Sequence, residues 1–421
     1  MSGTLASKID SFLRPVRLGV YFGQQLHAGG GFQQSVNAAM LVKKLSQDIV
    51  EPYFFTSELG NVEVLKGFGI DAIHIPLGTL QKIEMMFRAR VLSSHTKFLL
   101  LWKKILIYNA FEKHLVRYGI DLLYFISPAE MARRLEVTNY MTTVWDLCQR
   151  DDVEFPEVRE NRIFEGREKY YHSILPKAVA VFVDSPLGKV NVVRRYGVDE
   201  ERVHVLPFAP ALGVQVATGK EASVALNMRE KYSLDVPYVY YPAQFWSHKN
   251  HVYLLEGLRA LEDRYGIRLG AIFSGGDKGN LSYVQNAVER LGLDVRVRFA
   301  GFVPNDEVPI LYQQALALVM PTYFGPTNLP PLEAFSLGVP VLYPDKNGLR
   351  DQVGDAALLM DLDDPQSMAD HLNNLITKPE LQEEMIRRGY KRLNEYSDEA
   401  RVKVLESVLR DFQRRRICWC A

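Results

Sequence analysis

The run from Pro321 to Leu342, PTYFGPTNLPPLEAFSLGVPVL, carries the residue types of an anion-binding turn. It leaves a strand, crosses a loop rich in Gly and Pro, and enters a short helix in which Pro330 and Pro331 suit the first turn and Gly338 the C′ position. That order aims the unpaired N–H groups of Thr327, Asn328 and Leu329, with the helix N-terminus, at one point beyond the strand, as a diphosphate requires. Glu333, one turn further in, offers a carboxylate that accepts two hydrogen bonds from a ribose diol. A first-turn Glu that only complements the helix dipole fits the same position. A second junction, GQQLHAGGGF at residues 23–32, sets Gly29, Gly30 and Gly31 between a strand and a helix, where backbone amides can approach an anionic or sugar ligand. Its spacing is neither G-x-G-x-x-G nor a loop ending in Gly-Lys-Ser/Thr, so nicotinamide and Walker-type sites lose support. A loop using glycine for its turns accounts for it equally well.

Other polar residues carry less. His248 and His251 flank Lys249 without a third ligand or a cysteine, which favours helix-terminal or solvated roles over a metal site. Asp361-Leu-Asp363 has the form of a D-x-D metal motif but precedes Asp364-Pro365, the sequence of an exposed loop. No metal site is expected. Ser185 suits an N-cap or the ligand cleft, and Lys189 a phosphate or the surface. Gln149, Arg150, Asp151 and Asp152 follow Asp146 on one loop, where they either read an acceptor or simply keep the loop polar.

These residues need strands to position them. Short β-branched runs at 16–22, 120–126, 140–145 and 178–183 alternate with helical patterns, and a second set follows at 237–243, 269–274, 295–300, 316–320 and 339–343. Such alternation predicts α/β architecture with parallel sheets and crossover helices. At roughly 100 to 200 residues per domain, 421 residues make two or three domains. Pro207, Pro210 and Gly213 interrupt regular structure between the sets. The expected organisation is therefore an N-terminal domain over 1–210, a linker over 211–236, a C-terminal domain over 237–397 and a final helix over 398–421. Two doubly wound domains facing each other hold a ligand beyond the carboxyl ends of their strands.

Fifty Lys and Arg balance fifty Asp and Glu, which excludes nucleic-acid binding by bulk electrostatics. Three cysteines, Cys148, Cys418 and Cys420, suit a reducing compartment. Residues 1–17 lack a signal-peptide h-region, and nowhere do about 18 apolar residues run together. A cytoplasmic protein is expected.

The Pro321–Leu342 segment resembles the nucleotide-binding signature of family 4 glycosyltransferases of the GT-B fold: Glu, seven residues, Glu, then Ala and a Gly-Val-Pro-Val turn. The resemblance covers nearly the whole chain. Tyr240-Tyr-Pro-Ala-Gln-Phe-Trp-Ser-His-Lys-Asn-His lies where that family carries strand-Gly-Arg-Leu-x-x-x-Lys. Phe273-Ser-Gly-Gly-Asp resembles its next Gly-rich turn, Val297-Arg-Phe-Ala-Gly-Phe-Val its strand before the signature, and Thr143-Val-Trp-Asp-Leu its N-terminal His-Asp-Leu loop.

By position, the resemblance implies that Lys249 binds the donor diphosphate and Glu333 the nucleotide ribose. Thr327, Asn328 and Leu329 supply backbone donors, Gln244 and Gly275 line the donor site, and Gly29, Gly30 and Gly31 close over the donor. Asp146 lies beside the acceptor and, with Lys249, is the catalytic candidate. The chain departs from the pattern where Gln244 replaces an Arg, Trp145 a His, and Gly325 the first Glu. Tyr323-Phe-Gly-Pro-Thr-Asn resembles a mannosyltransferase-like branch that lacks that Glu, which implies altered sugar recognition.

The implied activity is retaining, metal-independent transfer of a hexose from a GDP-mannose-like or UDP-sugar donor to a saccharide or lipid-linked saccharide, in polysaccharide, O-antigen or lipopolysaccharide biosynthesis. The nucleotide sugar is a co-substrate and no other cofactor is implied. A sugar-nucleotide epimerase of the same fold, and a degenerate subunit that binds a nucleotide sugar or glycan for a partner transferase, remain alternatives. Between 80 and 119, Lys82, Arg88, Arg90, Lys97, Lys103, Lys104, Lys113 and Arg117 outnumber Glu84 and Glu112, with Phe98, Leu101, Trp102, Ile105 and Tyr108 at helical spacing. A core helix with a basic solvated face explains this run, and so does peripheral contact with the inner face of a membrane.

Overall fold

Continuous apolar runs such as Leu18–Phe22 and Tyr238–Pro242 are what parallel strands covered on both faces require, and both lie in central strands. The computed structural model describes residues 14–26, 30–81, 84–85, 108–211, 214, 226–325, 327–395 and 397–419. The chain divides into two compact units, Met1–Leu147 with Glu165–Pro207 and Asp398–Ala421, and Cys148–Phe164 with Phe208–Ser397.

The first unit is built on seven parallel strands: β1 Val16–Phe22, β2 Val50–Thr56, β3 Ala72–His74, β4 Leu122–Phe125, β5 Tyr140–Val144, β6 Ala180–Val183 and β7 Val203–Val205. Their order is β3-β2-β1-β4-β5-β6-β7, so the sheet reverses direction between β1 and β4. Alternate residues feed two cores. Leu18, Val20, Phe22, Leu122 and Tyr124 pack on one face, Tyr21, Leu123 and Phe125 on the other. The C-terminal helix Asp398–Arg416 completes the first of these cores with Leu405, Val408, Leu409 and Phe412. Its end is held by Arg416, which with Arg14 donates to the Asp121 carboxylate at 2.7 and 2.8 Å.

The second unit carries β8 Tyr238–Pro242, β9 Gly270–Ser274, β10 Val297–Gly301, β11 Leu318–Val319, β12 Val341–Pro344 and β13 Leu358–Met360. All pair in parallel, in the order β10-β9-β8-β11-β12-β13, with the reversal between β8 and β11.

Strands β2, β3 and β7 are absent from the sequence reading. Pro52 disguises β2, yet β3 pairs only with Phe54–Thr56, so Pro52 sits where one side of β2 has no strand partner. The edge strands β3 and β7 have three residues each, too few for a periodic signal. One boundary is corrected. Residues 148–164, placed by sequence within 1–210, pack with the second unit because Cys148, Phe155 and Val158 close an apolar cluster with Tyr323 and Phe324. Half of the 211–236 linker lies outside the described residues, as do Lys82, Arg88, Arg90, Lys97, Phe98, Leu101, Trp102, Lys103, Lys104 and Ile105 of the basic run.

Candidate functional site

In a doubly wound sheet the crevice for a ligand opens where strand order reverses, and in the second unit that point lies between β8 and β11. The loop after β8 carries Lys249, and the loop after β11 carries the helix Leu329–Ser336. These meet: Lys249 Nζ donates to Asn328 Oδ1 at 3.3 Å. Lys249 ends a single turn, Ser247–Lys249, after which Asn250 adopts a left-handed conformation, φ 51°, and the Tyr241 hydroxyl donates to the Lys249 carbonyl at 2.8 Å.

Asn328 is the N-cap residue of the helix, but its side chain does not cap it. Its amide instead donates to the Phe324 and Gly325 carbonyls, both at 3.2 Å, and to the Tyr343 hydroxyl at 2.7 Å, which closes the loop on itself. Gln352 grips the Asn328 backbone at two points, accepting from its N–H at 2.9 Å and donating to its carbonyl at 2.6 Å. The Asn328 N–H expected for phosphate thus donates to Gln352 in this structure. Thr327 and Leu329 hold their places at the helix start, and Pro330 and Pro331 follow without N–H groups. Leu337 caps the other end, and Gly338 follows at φ 68°.

Glu333 stands one turn into the helix, where Tyr312 Oη donates to its Oε2 at 2.9 Å. Burial pushes its carboxyl above the usual carboxylate range, against the hydrogen bonds from Tyr312 and the Ala211 backbone. Neither Tyr312 nor Gln352 was legible as a site residue, because Gln352 lies 24 residues beyond Asn328 and Tyr312 lies 21 before Glu333, with no motif joining them.

Gly325, where the family pattern has its first Glu, sits at φ 92°, and a Cβ there would meet Asn328 Nδ2 at 3.1 Å. The loop conformation itself demands glycine. Gly325→Glu is therefore expected to destabilise the protein by about 1–2 kcal/mol and to lower turnover rather than raise it. Melting temperature and turnover measured together check this, and an unchanged or improved pair would contradict it.

Gly275 is held at φ 149° with its N–H donating to the Gly301 carbonyl at 2.8 Å. A Cβ would lie 2.4 Å from the Ala243 carbonyl oxygen, so this glycine lets the chain pass against the loop bearing Gln244. Gln244 is exposed and accepts from Trp246 Nε1 at 3.1 Å.

His251 opens the helix His251–Tyr265, the helix-terminal role expected of it, but neither His248 nor His251 is solvated. His251 is fully buried and stacks on Phe245 with centroids 4.5 Å apart, and burial pushes its pKa down to about 3. The His248 ring stacks on Phe324 at 4.2 Å and bonds through Nδ1 to Glu157 Oε1, which also accepts the His248 N–H at 2.9 Å. Burial works to raise the Glu157 carboxyl, but these hydrogen bonds outweigh it and hold its pKa below the usual range. Asp152 pairs with Lys346, whose ammonium also donates to the Tyr323 carbonyl at 2.9 Å.

Within the first unit, the helix Gly30–Lys43 begins earlier than the expected loop, so Gly30 and Gly31 form its first turn, and Gly29 lies outside the described residues. A Cβ on Gly31 would meet the Trp145 indole at 3.2 Å. The bulky residue beside Asp146 thus packs on the glycine turn. Asn61 holds the preceding stretch, accepting from the Leu26 N–H at 2.8 Å and donating to the Gln24 carbonyl at 2.9 Å. Asp146 follows β5 and is engaged by Arg167, which donates to its Oδ1 at 2.5 Å and to its carbonyl at 2.8 Å. Ser185 caps the helix Pro186–Tyr196, accepting from the Gly188 N–H at 3.1 Å, and Lys189 pairs with Glu200 at 3.5 Å. Asp361 and Asp363 are exposed, with the Asp363 N–H donating to Asp361 Oδ1 at 3.0 Å. Among the described residues, no three His, Cys, Asp or Glu side chains gather as metal ligands, and no helix is long and apolar enough to cross a membrane.

Two parallel-sheet α/β units with a helical C-terminus constitute the GT-B fold. Residues 227–392 match the family described as glycosyl transferases group 1. O-antigen chain mannosyltransferase B of Escherichia coli is 27% identical over 243 residues, 58% of this chain and 63% of that protein. The chain thus spans less than two thirds of that relative's length. Sucrose-phosphate synthase from Thermosynechococcus elongatus superposes with a TM-score of 0.67 at 18% identity, covering 95% of this chain and 100% of its own. An Anabaena protein solved with UDP and glucose gives 0.69 at 14% identity, covering 94% and 100%. At these identities the two structures speak for the fold.

Proposed function

We propose that this chain is a glycosyltransferase that moves a hexose from a nucleotide-diphosphate sugar to a saccharide or lipid-linked saccharide. The observation that carries the reading is Lys249 meeting the N-cap residue Asn328 of the helix Leu329–Ser336 at the strand-order reversal, with Glu333 one turn in. A departing diphosphate develops negative charge, and a lysine ammonium with a helix N-terminus stabilises it without a metal ion. Glu333, oriented by Tyr312, is the group for the ribose diol. Gln244 and the Gly275 turn belong to the same donor site. Retention is the stereochemistry that the family 4 resemblance implies, and similarity to an O-antigen chain mannosyltransferase of E. coli supports reading the donor as GDP-mannose-like and the pathway as O-antigen or lipopolysaccharide assembly. The Anabaena complex makes a UDP-sugar the other donor to test. The reaction belongs in the cytoplasm, where nucleotide sugars serve as co-substrates.

Thermal-shift titration with GDP-, UDP-, dTDP- and CMP-sugars identifies the donor, and product analysis then separates transfer from isomerisation. Stabilisation by one class, with sugar appearing on an acceptor, is the expected outcome. No stabilisation by any of them overturns the reading.

Asp146, engaged by Arg167, is proposed to act on the acceptor side, with the Gly30–Gly31 turn beside Trp145 nearby in the same unit. Asp146→Asn is expected to reduce turnover by roughly tenfold or more while nucleotide affinity changes little. Near-normal turnover would make the Arg167 pair purely structural. The basic, aromatic run at 80–119 is proposed to dock the enzyme on an anionic inner leaflet, at roughly 1 kcal/mol per suitably placed basic residue. Wild type should co-sediment with anionic liposomes at low salt and release at high salt, and a Lys97/Lys103/Lys104→Glu variant should fail to bind. Absence of wild-type binding at low salt points to a soluble acceptor.

A further inference from the structure

Glu157 lies 91 residues from His248 in the chain, yet it is the group that fixes the residue preceding Lys249. One carboxylate oxygen, Oε1, accepts the His248 main-chain N–H at 2.9 Å and bonds the ring Nδ1. The rest of His248 is also held. Its carbonyl accepts the Tyr323 N–H at 2.9 Å and the Thr322 hydroxyl at 3.4 Å, and its ring lies nearly parallel to Phe324, at 14°. Both side chains are largely withdrawn from solvent, Glu157 to 8% and His248 to 11% exposure. The peptide entering Lys249 is bonded at both ends, its carbonyl as above and its N–H donating to the Trp246 carbonyl at 3.1 Å, and the Tyr241 bond to the Lys249 carbonyl fixes the peptide that leaves it. A residue whose two flanking peptides are both anchored loses little further backbone freedom when its side chain meets a phosphate.

We propose that Glu157 is a positioning residue for donor binding: it acts through His248 to hold the Lys249 ammonium at the start of the helix Leu329–Ser336. The segment bearing Glu157 is fastened beside that helix a second time by Asp152 on Lys346, which also reaches the Tyr323 carbonyl. Phe155 completes the fastening, with its ring 4.9 Å from Phe324 and 5.4 Å from Tyr323. The segment is thus a strap over the loop that supplies the helix, and Glu157 is its contact with the lysine turn. This inference rests on the donor-site reading of Lys249.

The test is a double-mutant cycle read by calorimetry with GDP, UDP, dTDP and CMP as probes, on wild type, Lys249→Ala, Glu157→Ala and the double variant. Glu157→Ala should weaken nucleotide binding by about tenfold, Glu157→Gln, which keeps an acceptor for the His248 N–H, by no more than about threefold, and the double variant should bind like Lys249→Ala alone. A merely structural glutamate would lower affinity by the same factor in both backgrounds. If Glu157→Ala does not fold, Glu157→Asp, one methylene shorter, carries the same cycle. Additive effects, or unchanged affinity in the Glu157 variants beside a weakened Lys249→Ala, overturn the positioning role and leave the donor site standing. Unchanged affinity in Lys249→Ala, or no binding of GDP, UDP, dTDP or CMP by wild type, overturns the donor-site reading and this inference with it.

Discussion

Replacing Lys249 by Ala should weaken nucleotide binding by about 1.5–3 kcal/mol, roughly ten- to a hundredfold, while leaving the fold intact. The ammonium's 3.3 Å hydrogen bond reaches a partly exposed Asn328, whose amide is independently held by Phe324, Gly325 and Tyr343. Removing the side chain therefore takes a cation from the site without opening the core, and the Tyr241 bond to the residue 249 carbonyl survives it. Glu333→Gln is the companion variant, since glutamine still accepts from Tyr312 but lacks the charge that strengthens hydrogen bonds from a diol. It should weaken binding by a comparable amount, with the melting temperature nearly unchanged. Calorimetry with the nucleotide that stabilises wild type best is the measurement, and full affinity in both variants would remove the diphosphate and ribose assignments together.

The largest loss of stability from a single methyl group is expected at Gly275. An added Cβ would meet the Ala243 carbonyl oxygen at 2.4 Å, its carbon at 2.6 Å and the Gln244 nitrogen at 2.8 Å. All three are backbone atoms, so no side chain can rotate away, and the φ of 149° is itself a conformation that L-residues avoid. Overpacking and strain together put the cost of Gly275→Ala at about 3 kcal/mol or more, a drop of roughly 6–12 °C in the unfolding temperature of the second unit. Gly276 supplies the control. It has nothing within 4 Å of the same virtual atom and no positive φ, so Gly276→Ala should leave the melting temperature near that of wild type. Equal melting temperatures for the two variants would show that β8 and β9 part at little cost. The Gly275 variant should also lose nucleotide affinity, because the displaced loop carries Gln244 and leads into Lys249.

The sequence by itself determined the α/β class, most of the central strands and the order in which chemical residues follow them. Those signals are local: β8 reads as a buried run, Pro330 and Pro331 open the helix Leu329–Ser336, and Gly338 closes it through backbone preferences spanning a few residues. The resemblance added roles for Lys249 and Glu333 because both lie within contiguous motifs. The tertiary structure decided what depends on atoms far apart in the chain. Gln352 takes the Asn328 N–H that the sequence assigned to phosphate, since a helix start exposes its amides to whichever acceptor folding brings there. Gly325, read as the loss of an acid, is the only residue type that fits its φ without strain. His251, one residue past a polar turn, is buried because the first turn of its helix faces Phe245, Tyr241 and Phe273. Gln149, Arg150, Asp151 and Asp152 read as a polar continuation of the Asp146 loop, but Phe155 and Val158, a few residues on, have their apolar partners in the second unit. Hydrophobic burial assigns a segment to the surface that covers it, and no spacing along the chain records which surface that is.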